Sequence, residues 1–381
     1  MEWKEVDICQ LCDSVSETYK GNASEVVLIN TSDVLDGKCL NHEYVPNKKL
    51  KGQFKKTFRK GDILYSEIRP ANKRFCFVDF EPKDYIASTK LMVLRAHEDV
   101  DPQYLYQILR SNDTLAQLQM LAESRSGTFP QITYSELSNI MVSLPSQKAQ
   151  KNIVSILSSL DRKIELNNKI NADLEEMAQA IFKNWFVDFE PFKDGKFVDS
   201  ELGMIPEGWK VGTLGELCNF KRGKNLLTKN AIDEGVPVVA GGLEPSCYHN
   251  IANTGAPVIT VSGSGANAGF MRMYHVPVWA SDCSFIDISC KNFYFVYCFL
   301  KVNSKLLKHA QTGAVQPHVK PSDIHDFELV IPDKESIYDF QDKVKPFFDK
   351  IAVIQKENSR LSLLRDTLLP RLMSGELEVP E

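Results

Sequence analysis

A pattern of residues in the first half of this 381-residue chain recurs in the second half at a nearly constant distance. Adding 187 to Pro130 gives Pro317, and the same offset matches Asn171 with Asn358. Near the start of each half the offset is 206, so the second half is shorter than the first between its start and Pro317. Repeats of this length indicate a duplicated structural unit. We therefore predict two similar folding units, which also fits a length above that of one ordinary domain.

Each half has the same order of parts, a β-rich stretch followed by a long helix. Short or alternating apolar runs such as DILYSEI and SFIDI are typical of strands. The predicted fold class is α+β, with two mixed α/β units in tandem repeat, separated by two long antiparallel coiled-coil-like helices with pseudo-twofold symmetry. The predicted parts are a first unit (1–146), a central helix (147–186), a linker (187–206), a second unit (207–333), and a C-terminal helix and tail (334–381).

The two helices are predicted to pair with each other, because apolar residues recur in both at steps of three and four. Thirty-three residues of such a helix span roughly 50 Å, enough to make a stiff rod. Asn residues in the seam are expected to fix its register. Pro346 and Pro370 are expected to kink or cap the second helix near its ends. The predicted seam residues are Ile153, Leu157, Leu160, Ile164, Asn171, Leu174, Ile181, Trp185, Phe340, Val344, Phe347, Ile351, Asn358, Leu361, Leu368 and Leu372.

Positive charge is concentrated in two segments, although the chain as a whole carries a formal charge of −5. Residues 46–78 contain ten basic and two acidic side chains, with aromatic residues interleaved. Residues 288–322 contain five lysines and no acid. A solvated surface explains many single basic runs, but two runs in matching units favour contacts with phosphates.

Reading DNA bases requires side chains with forked donors or acceptors close to such a basic surface. Residues of this kind cluster in turn-like segments of both halves. The candidate DNA-contacting residues are Lys48, Lys49, Lys51, Lys55, Lys56, Arg59, Lys60, Arg69, Asn72, Lys73, Arg74, Arg125, Ser126, Thr128, Asn225, Ser262, Ser264, Asn267, Lys305, Lys308, Gln311, Thr312 and Gln316.

The sequence contains no convincing catalytic pattern. Asp62, Glu81 and Lys83 have the loose form of a metal-dependent nuclease site, but this triplet has no counterpart in the second half. Cys9 and Cys12 form a CxxC pair without the second pair that a zinc site needs, so we expect two buried small hydrophobic residues. No catalytic residue, metal site or bound cofactor is therefore predicted.

The longest apolar run, residues 293–300, is too short to span a membrane. The first ten residues lack the apolar stretch of a secretory signal. Nine scattered cysteines without framework spacing are expected to be reduced thiols. These observations predict a cytoplasmic protein that has no membrane partner.

Six long strings, which together extend over essentially the whole chain, carry a resemblance to a known family. They are GDILYSEIRPANKRF (61–75), SGTFPQITYSELSNIMVSLPS (126–146), LDRKIELNNKINADLEEMAQAIFKNWFVDFEPF (160–192), ELGMIPEGWKVGTLGEL (201–217), TGAVQPHVKPSDIHDFELVIP (312–332) and LLRDTLLPRLMSGEL (363–377). In these strings the chain resembles the specificity (S) subunit of Type I restriction-modification systems, the HsdS family.

The resemblance implies two target-recognition domains that each read one half of a split, asymmetric sequence in double-stranded DNA. It implies that the chain catalyses nothing, that its helices act as a ruler, and that two adenine-N6 methyltransferase subunits dock on them. S-adenosylmethionine would belong to those subunits, and ATP and Mg²⁺ to partner subunits, including the motor-nuclease subunits. Two alternatives remain at this point: a metal-dependent nuclease using Asp62, Glu81 and Lys83, and a tandem protein–protein adaptor without a DNA role.

Overall fold

The structure, a computed structural model, describes residues 3–48, 52–125, 130–311 and 317–379. It divides into two compact units. Unit 1 contains Met1–Glu165 and Ser359–Glu381, and unit 2 contains Leu166–Asn358. The boundary falls inside both long helices, so each unit contains a part of each helix.

Unit 1 is built from twelve described strands, three shorter helices and part of two long helices. The strands are β1 (Lys4–Asp7), β2 (Cys12–Val15), β3 (Glu25–Ile29), β4 (Val34–Leu35), β5 (Lys38–Cys39), β6 (Val45–Pro46), β7 (Phe54–Lys56), β8 (Ile63–Ser66), β9 (Phe75–Phe77), β10 (Tyr85–Ser88), β11 (Leu91–Ala96) and β12 (Met141–Leu144). The helices that begin in this unit are α1 (Pro102–Arg110), α2 (Asn112–Arg125), α3 (Tyr134–Ser138) and α4 (Gln147–Phe186).

Unit 2 repeats this order with fewer strands. Its strands are β13 (Phe197–Val198), β14 (Ile205–Pro206), β15 (Lys210–Thr213), β16 (Lys221–Arg222), β17 (Val236–Val239), β18 (Cys247–His249), β19 (Val258–Ser262), β20 (Met271–Tyr274), β21 (Trp279–Ala280), β22 (Cys283–Asp287) and β23 (Glu328–Ile331). Its helices are α5 (Phe293–Val302), α6 (Ser304–His309), α7 (Pro321–His325) and α8 (Lys334–Met373).

The two units share one sheet topology. The main sheet has the strand order β2-β11-β8-β9 in unit 1 and β16-β22-β19-β20 in unit 2. A second sheet contains one parallel pair in each unit, β3 with β10 and β17 with β21. Antiparallel pairing of β1 with β12, and of β15 with β23, closes each unit just before its long helix. The duplication predicted from the sequence is therefore present in the fold.

The largest difference in length between the units lies between the second sheet and the main sheet. In unit 1, β3 begins at residue 25 and β8 at residue 63, whereas in unit 2 β17 begins at 236 and β19 at 258. The longer stretch of unit 1 contains the β4–β5 hairpin and β7, which pairs with β10 at an edge of the second sheet. Lys48 and the basic residues within 52–60 thus lie in or beside an insertion that the described part of unit 2 lacks.

The central strands are buried on both faces, which explains their nearly continuous apolar sequences. In β8, Ile63 and Tyr65 belong to the core formed with α1 and α2, while Leu64 belongs to the core between the two sheets. In β19, Ile259 and Val258 divide in the same way between two cores. Each main sheet is therefore a middle layer between helices and the second sheet, and its strand ends project the connecting loops.

The long helices α4 and α8 are each 40 residues long. Within unit 2 they pack antiparallel, because Asn167 contacts Asn358 while Phe182 contacts Phe340 with ring centroids 5.6 Å apart. Within unit 1, Asp161 accepts a hydrogen bond from Arg365 at 2.8 Å. All sixteen predicted seam residues are buried or half-buried.

Three local features differ from the sequence predictions. Helix α8 continues through Pro346 and Pro370, and both rings lie on its exposed side, where the missing donor is least costly. The segment 187–206, predicted as a linker, belongs to unit 2, because Phe192 packs edge-on against Trp209 with ring centroids 4.8 Å apart. Cys9 is exposed, so only Cys12 of the predicted buried pair lies in the core. In the ranges that the structure describes, we find no helix with the length and apolar character needed to cross a membrane.

Candidate nucleic-acid interface

One loop of unit 1 brings together several of the predicted DNA-contacting residues. It joins β8 to β9 and lies against the segment that precedes α3. The backbone N–H of Arg69 donates to the carbonyl of Pro130 at 3.1 Å, and the N–H of Ile132 donates to the carbonyl of Glu67 at 2.8 Å. The N–H of Ala71 donates to Oε1 of Gln119 on α2 at 3.0 Å. The loop is thus held from two sides, and its backbone is well defined.

Unit 2 contains the same arrangement at equivalent positions. The N–H of Gly265 donates to the carbonyl of Pro317 at 3.1 Å, and the N–H of Val319 donates to the carbonyl of Gly263 at 3.1 Å. We call residues 66–74 and residues 262–270 the paired loops. An offset of 196 aligns them over their whole length. Each paired loop is therefore hydrogen-bonded to the short segment that precedes α3 or α7.

Ten of the predicted DNA-contacting residues have exposed side chains that bond to no other described residue. They are Lys48, Lys55, Arg59, Lys60, Arg69, Asn72, Lys73, Asn225, Lys305 and Lys308. Seven of them belong to unit 1, four of those in or beside the insertion around β7 and three in its paired loop. Basic side chains that are unpaired and exposed in this way can neutralise phosphates without first breaking an internal bond.

Two of the basic candidates in unit 1 are instead bonded to the protein backbone. The Lys56 ammonium donates to the carbonyls of Leu91 at 2.8 Å and Thr89 at 3.3 Å, and burial lowers its pKa. The Arg74 guanidinium donates to the carbonyls of Ser32 at 3.1 Å and Val34 at 3.4 Å. Both side chains therefore stabilise unit 1, and their contacts with DNA stay a prediction.

The polar candidates of the unit 2 paired loop also form internal hydrogen bonds. Ser262 is buried, and its hydroxyl and the Asn267 amide both donate to the carbonyl of Gly241 at 3.3 Å. The hydroxyl of Ser264 donates to the carboxylate of Asp282. Nε2 of Gln311 donates to the carbonyl of Ala268 at 2.8 Å. These donors shape the loop in the free chain, and contacts of the four residues with bases stay a prediction.

Seven further candidates cannot be placed in the interface. Lys49, Lys51, Ser126, Thr128, Thr312, Gln316 and the side chain of Arg125 lie outside the part of the chain that the structure describes.

The nuclease alternative is not compatible with the surroundings of Asp62. This carboxylate is 1% exposed and receives two hydrogen bonds of 2.8 Å from the guanidinium of Arg95, and a third from the N–H of Arg59. Both of its oxygens are therefore occupied by a buried ion pair, while Glu81 and Lys83 are exposed on a loop. No group of His, Cys, Asp or Glu suited to a metal ion occurs among the described residues. Asp62 stabilises the fold.

The cysteines are free thiols, and two of them have environments that follow the repeat. Cys12 and Cys218 occupy equivalent positions, and their thiols contact the carbonyls of Ile8 at 3.8 Å and Leu214 at 3.5 Å. Burial raises the pKa of Cys12 to about 12 and raises that of Cys218 further. Thiols that remain protonated are poor nucleophiles and metal ligands, so these residues pack the core.

The equivalence of the paired loops was missed by sequence reasoning, which compared the halves only at offsets of 187 and 206. Ser66 and Ser262 carry the signal for the intermediate offset of 196, since each ends a short apolar run in the sequence. In the structure each is the last residue of a strand and almost fully buried, at 2% and 3% exposure. Their equivalence also explains why Ser262 is structural. A buried hydroxyl at the end of a strand anchors the loop that follows.

Comparison with known proteins assigns the chain to a family. The family described as "Type I restriction modification DNA specificity domain" matches residues 2–176 and again residues 206–362. The chain is 33% identical to the Type I restriction enzyme HindI specificity subunit of Haemophilus influenzae, over 99% of this chain and 100% of that protein. It is 29% identical to the MjaIX specificity subunit of Methanocaldococcus jannaschii, over 90% and 85% of the two chains.

A solved structure has the same fold. The crystal structure of the Type I restriction-modification S subunit from M. genitalium superimposes with a TM-score of 0.57 at 18% sequence identity, covering 100% of this chain and 97% of that one. The two family matches coincide with the two repeats found in the sequence and in the sheets. The chain therefore belongs to the Type I restriction-modification DNA specificity subunits.

Proposed function

We propose that this specificity subunit reads a split, asymmetric target in double-stranded DNA, with unit 1 contacting one half and unit 2 the other, and that it catalyses no step itself. The observation that supports this most is the repetition of the paired loops. Both are held by the same backbone hydrogen bonds to the segment before α3 or α7. The residues displayed on this common frame differ between the units, as reading two different half-sites requires.

Electrostatics support contact with the DNA backbone in unit 1. Lys55, Arg59 and Lys60 on the insertion and Arg69 and Lys73 in the paired loop are exposed and unpaired among the described residues. Phosphate contacts of this kind hold a protein in register on the duplex and carry no sequence information themselves. Base recognition is then assigned to exposed polar side chains such as Asn72 in unit 1 and Asn225 in unit 2.

The long helices expose apolar side chains at repeat-equivalent positions. Leu166 is 54% exposed and its equivalent Val353 is 63% exposed, while Met177 and its equivalent Leu364 are 49% and 46% exposed. Large apolar side chains that recur on a surface favour docking of a protein partner. Their duplication supports two copies of one partner, and we propose that these are adenine-N6 methyltransferase subunits.

The chemistry of the complex is proposed to reside in the partners. The methyltransferase subunits would carry S-adenosylmethionine, and motor-nuclease subunits would join them for cleavage, with ATP and Mg²⁺ in the partner subunits. The specificity subunit would supply only the position of these subunits on DNA, with the two helices setting the distance between half-sites. Under this proposal the chain needs no catalytic residue of its own, which agrees with the structural role of the buried polar residues described above.

A genome-wide map of N6-methyladenine tests the proposal. The map is made in cells with the gene, in cells without it, and in the deletion strain complemented with it. We expect one split, asymmetric motif with an unread gap to lose methylation on deletion and to regain it on complementation. If no motif depends on the gene although the chain co-purifies with an active methyltransferase, the proposed function is refuted.

A further inference from the structure

The paired loops have left-handed backbone conformations at the same two positions, but the residues there differ in kind. In unit 2 the positions are Gly265 and Gly269, with φ of +79° and +77°. In unit 1 they are Arg69 and Lys73, with φ of +44° and +51°. Glycine adopts this conformation freely, whereas a residue with a Cβ is strained in it. Unit 1 therefore has strained basic residues at the two positions where, in unit 2, glycine forms the same loop conformation without strain.

Packing does not explain why Arg69 and Lys73 are there. Among the described residues, three other non-glycine residues have positive φ, and two of them, Asp36 and Asp84, are of a type that tolerates it. The third, Phe189, packs its ring edge-on against Trp209 with centroids 5.7 Å apart. The side chains of Arg69 and Lys73, by contrast, are exposed and form no hydrogen bond or ion pair with a described residue. Both side chains are therefore available to bind a partner molecule.

The loop presents these two side chains from a rigid base. Between them, Pro70 is buried, and the N–H of Lys73 donates back to its carbonyl at 2.9 Å. The N–H of Asn72 donates to the carbonyl of Arg69 at 2.8 Å. A rigid base reduces the conformational entropy that is lost when the side chains bind a ligand.

The two paired loops also differ in charge. Residues 67–74 contain three basic side chains and one carboxylate, Glu67, which lies 3.5 Å from the ammonium of Lys90. Residues 263–270 contain no charged side chain. The positions that carry charge in unit 1 are neutral in unit 2.

We propose that Arg69 and Lys73 contact DNA phosphates beside the half-site of unit 1, and that the equivalent loop of unit 2 makes no such contact. This inference rests on the proposed function and adds to it that the two units grip the DNA backbone unequally. In this proposal, the phosphate contacts of two fixed positive charges offset the energetic cost of the strained backbone at both positions.

The test compares two neutral double variants with a charge-conserving one in the complete complex with the methyltransferase. R69G/K73G removes charge and strain, R69N/K73N removes charge with a residue that tolerates positive φ, and R69K/K73R retains the charge. Affinity is measured by fluorescence anisotropy at several salt concentrations, with a duplex carrying the target and a duplex of unrelated sequence. Thermal unfolding of each free chain reports on folding.

We expect both neutral variants to unfold no earlier than the parent and to bind both duplexes more weakly by the same factor. The slope of log affinity against log salt should become shallower by about two, one unit for each lost phosphate contact. The charge-conserving variant should keep the parent slope. An unchanged slope in both neutral variants, a loss confined to the target duplex, or a lower unfolding temperature in both would overturn the inference. Failure of the parent complex to bind either duplex would instead refute the proposed function.

Discussion

Leucine substitutions of two asparagines one helical turn apart on α4 are predicted to change the stability of the paired helices in opposite directions. Asn167 is 1% exposed, and its Nδ2 donates to Oε2 of Glu357 and Oδ1 of Asn358, both at 2.8 Å. Asn171 has a buried Oδ1 without a hydrogen-bond partner in the described structure. Replacing each by leucine removes a bonded amide in the first case and an unsatisfied acceptor in the second.

The magnitudes follow from these contacts. Asn167→Leu loses two hydrogen bonds, one of them to a charged group, and we expect the paired helices to lose about 2 kcal/mol after the gain from burying leucine. Asn171→Leu relieves a desolvated acceptor, which costs roughly 1–3 kcal/mol when left unpaired, so the helices should gain about 1 kcal/mol. The better helix propensity of leucine is common to both variants and cancels in the comparison.

Native-state hydrogen exchange is the suitable assay, because a chain with two units need not unfold in a single step. Exchange of amides in residues 160–175 and 350–361 should accelerate roughly thirtyfold in Asn167→Leu and slow about fivefold in Asn171→Leu, since 1.4 kcal/mol corresponds to a factor of ten. If both variants changed exchange in the same direction, the hydrogen bonds of Asn167 would not be what distinguishes the two sites.

Two further predictions concern the roles of Asp62 and of the helices. Asp62→Ala should lower the free energy of unfolding by about 3 kcal/mol, because Arg95 loses its buried partner, and it should leave DNA cleavage unaltered; loss of a Mg²⁺-dependent cleavage activity from a folded variant would revive the nuclease alternative. Insertion of seven residues after both Asn167 and Ile354 preserves the heptad seam and adds about 10 Å to each helix. The unread gap in the methylated motif should then lengthen by about three base pairs, and an unchanged gap would contradict the role of the helices as a ruler.

The sequence predicted those parts of the fold that repeat over long distances. The offset of 187 is also the offset between α4 and α8, because the helices are the part of the repeat without insertions. Heptad spacing predicted residues that are all buried or half-buried, since a seam depends on periodicity alone. It could not predict which asparagine crosses the seam, because that depends on the register, and Asn167 rather than Asn171 makes the bond to Asn358.

The candidate interface was predicted less completely, because residue type does not reveal how a donor is used. Lys55 and Lys56 are adjacent in a basic run, yet one is exposed and the other is bonded to two carbonyls. On a strand, neighbouring side chains point to opposite faces, so a basic run on β7 can supply only alternate residues to one surface. Ser264 and Asn267 similarly have the chemistry of base-reading residues, but their donors are used to close their own loop.

The central claim, that each unit reads its own half of the target, is tested most directly by exchanging residues 1–146 for the equivalent segment of a relative with a different known target. The methylated motif of cells expressing the hybrid is then mapped alongside those of both parents. The account predicts that one half-site changes to that of the relative while the other half-site and the gap stay as they were. A hybrid that methylates normally but has both half-sites altered, or neither, would contradict it.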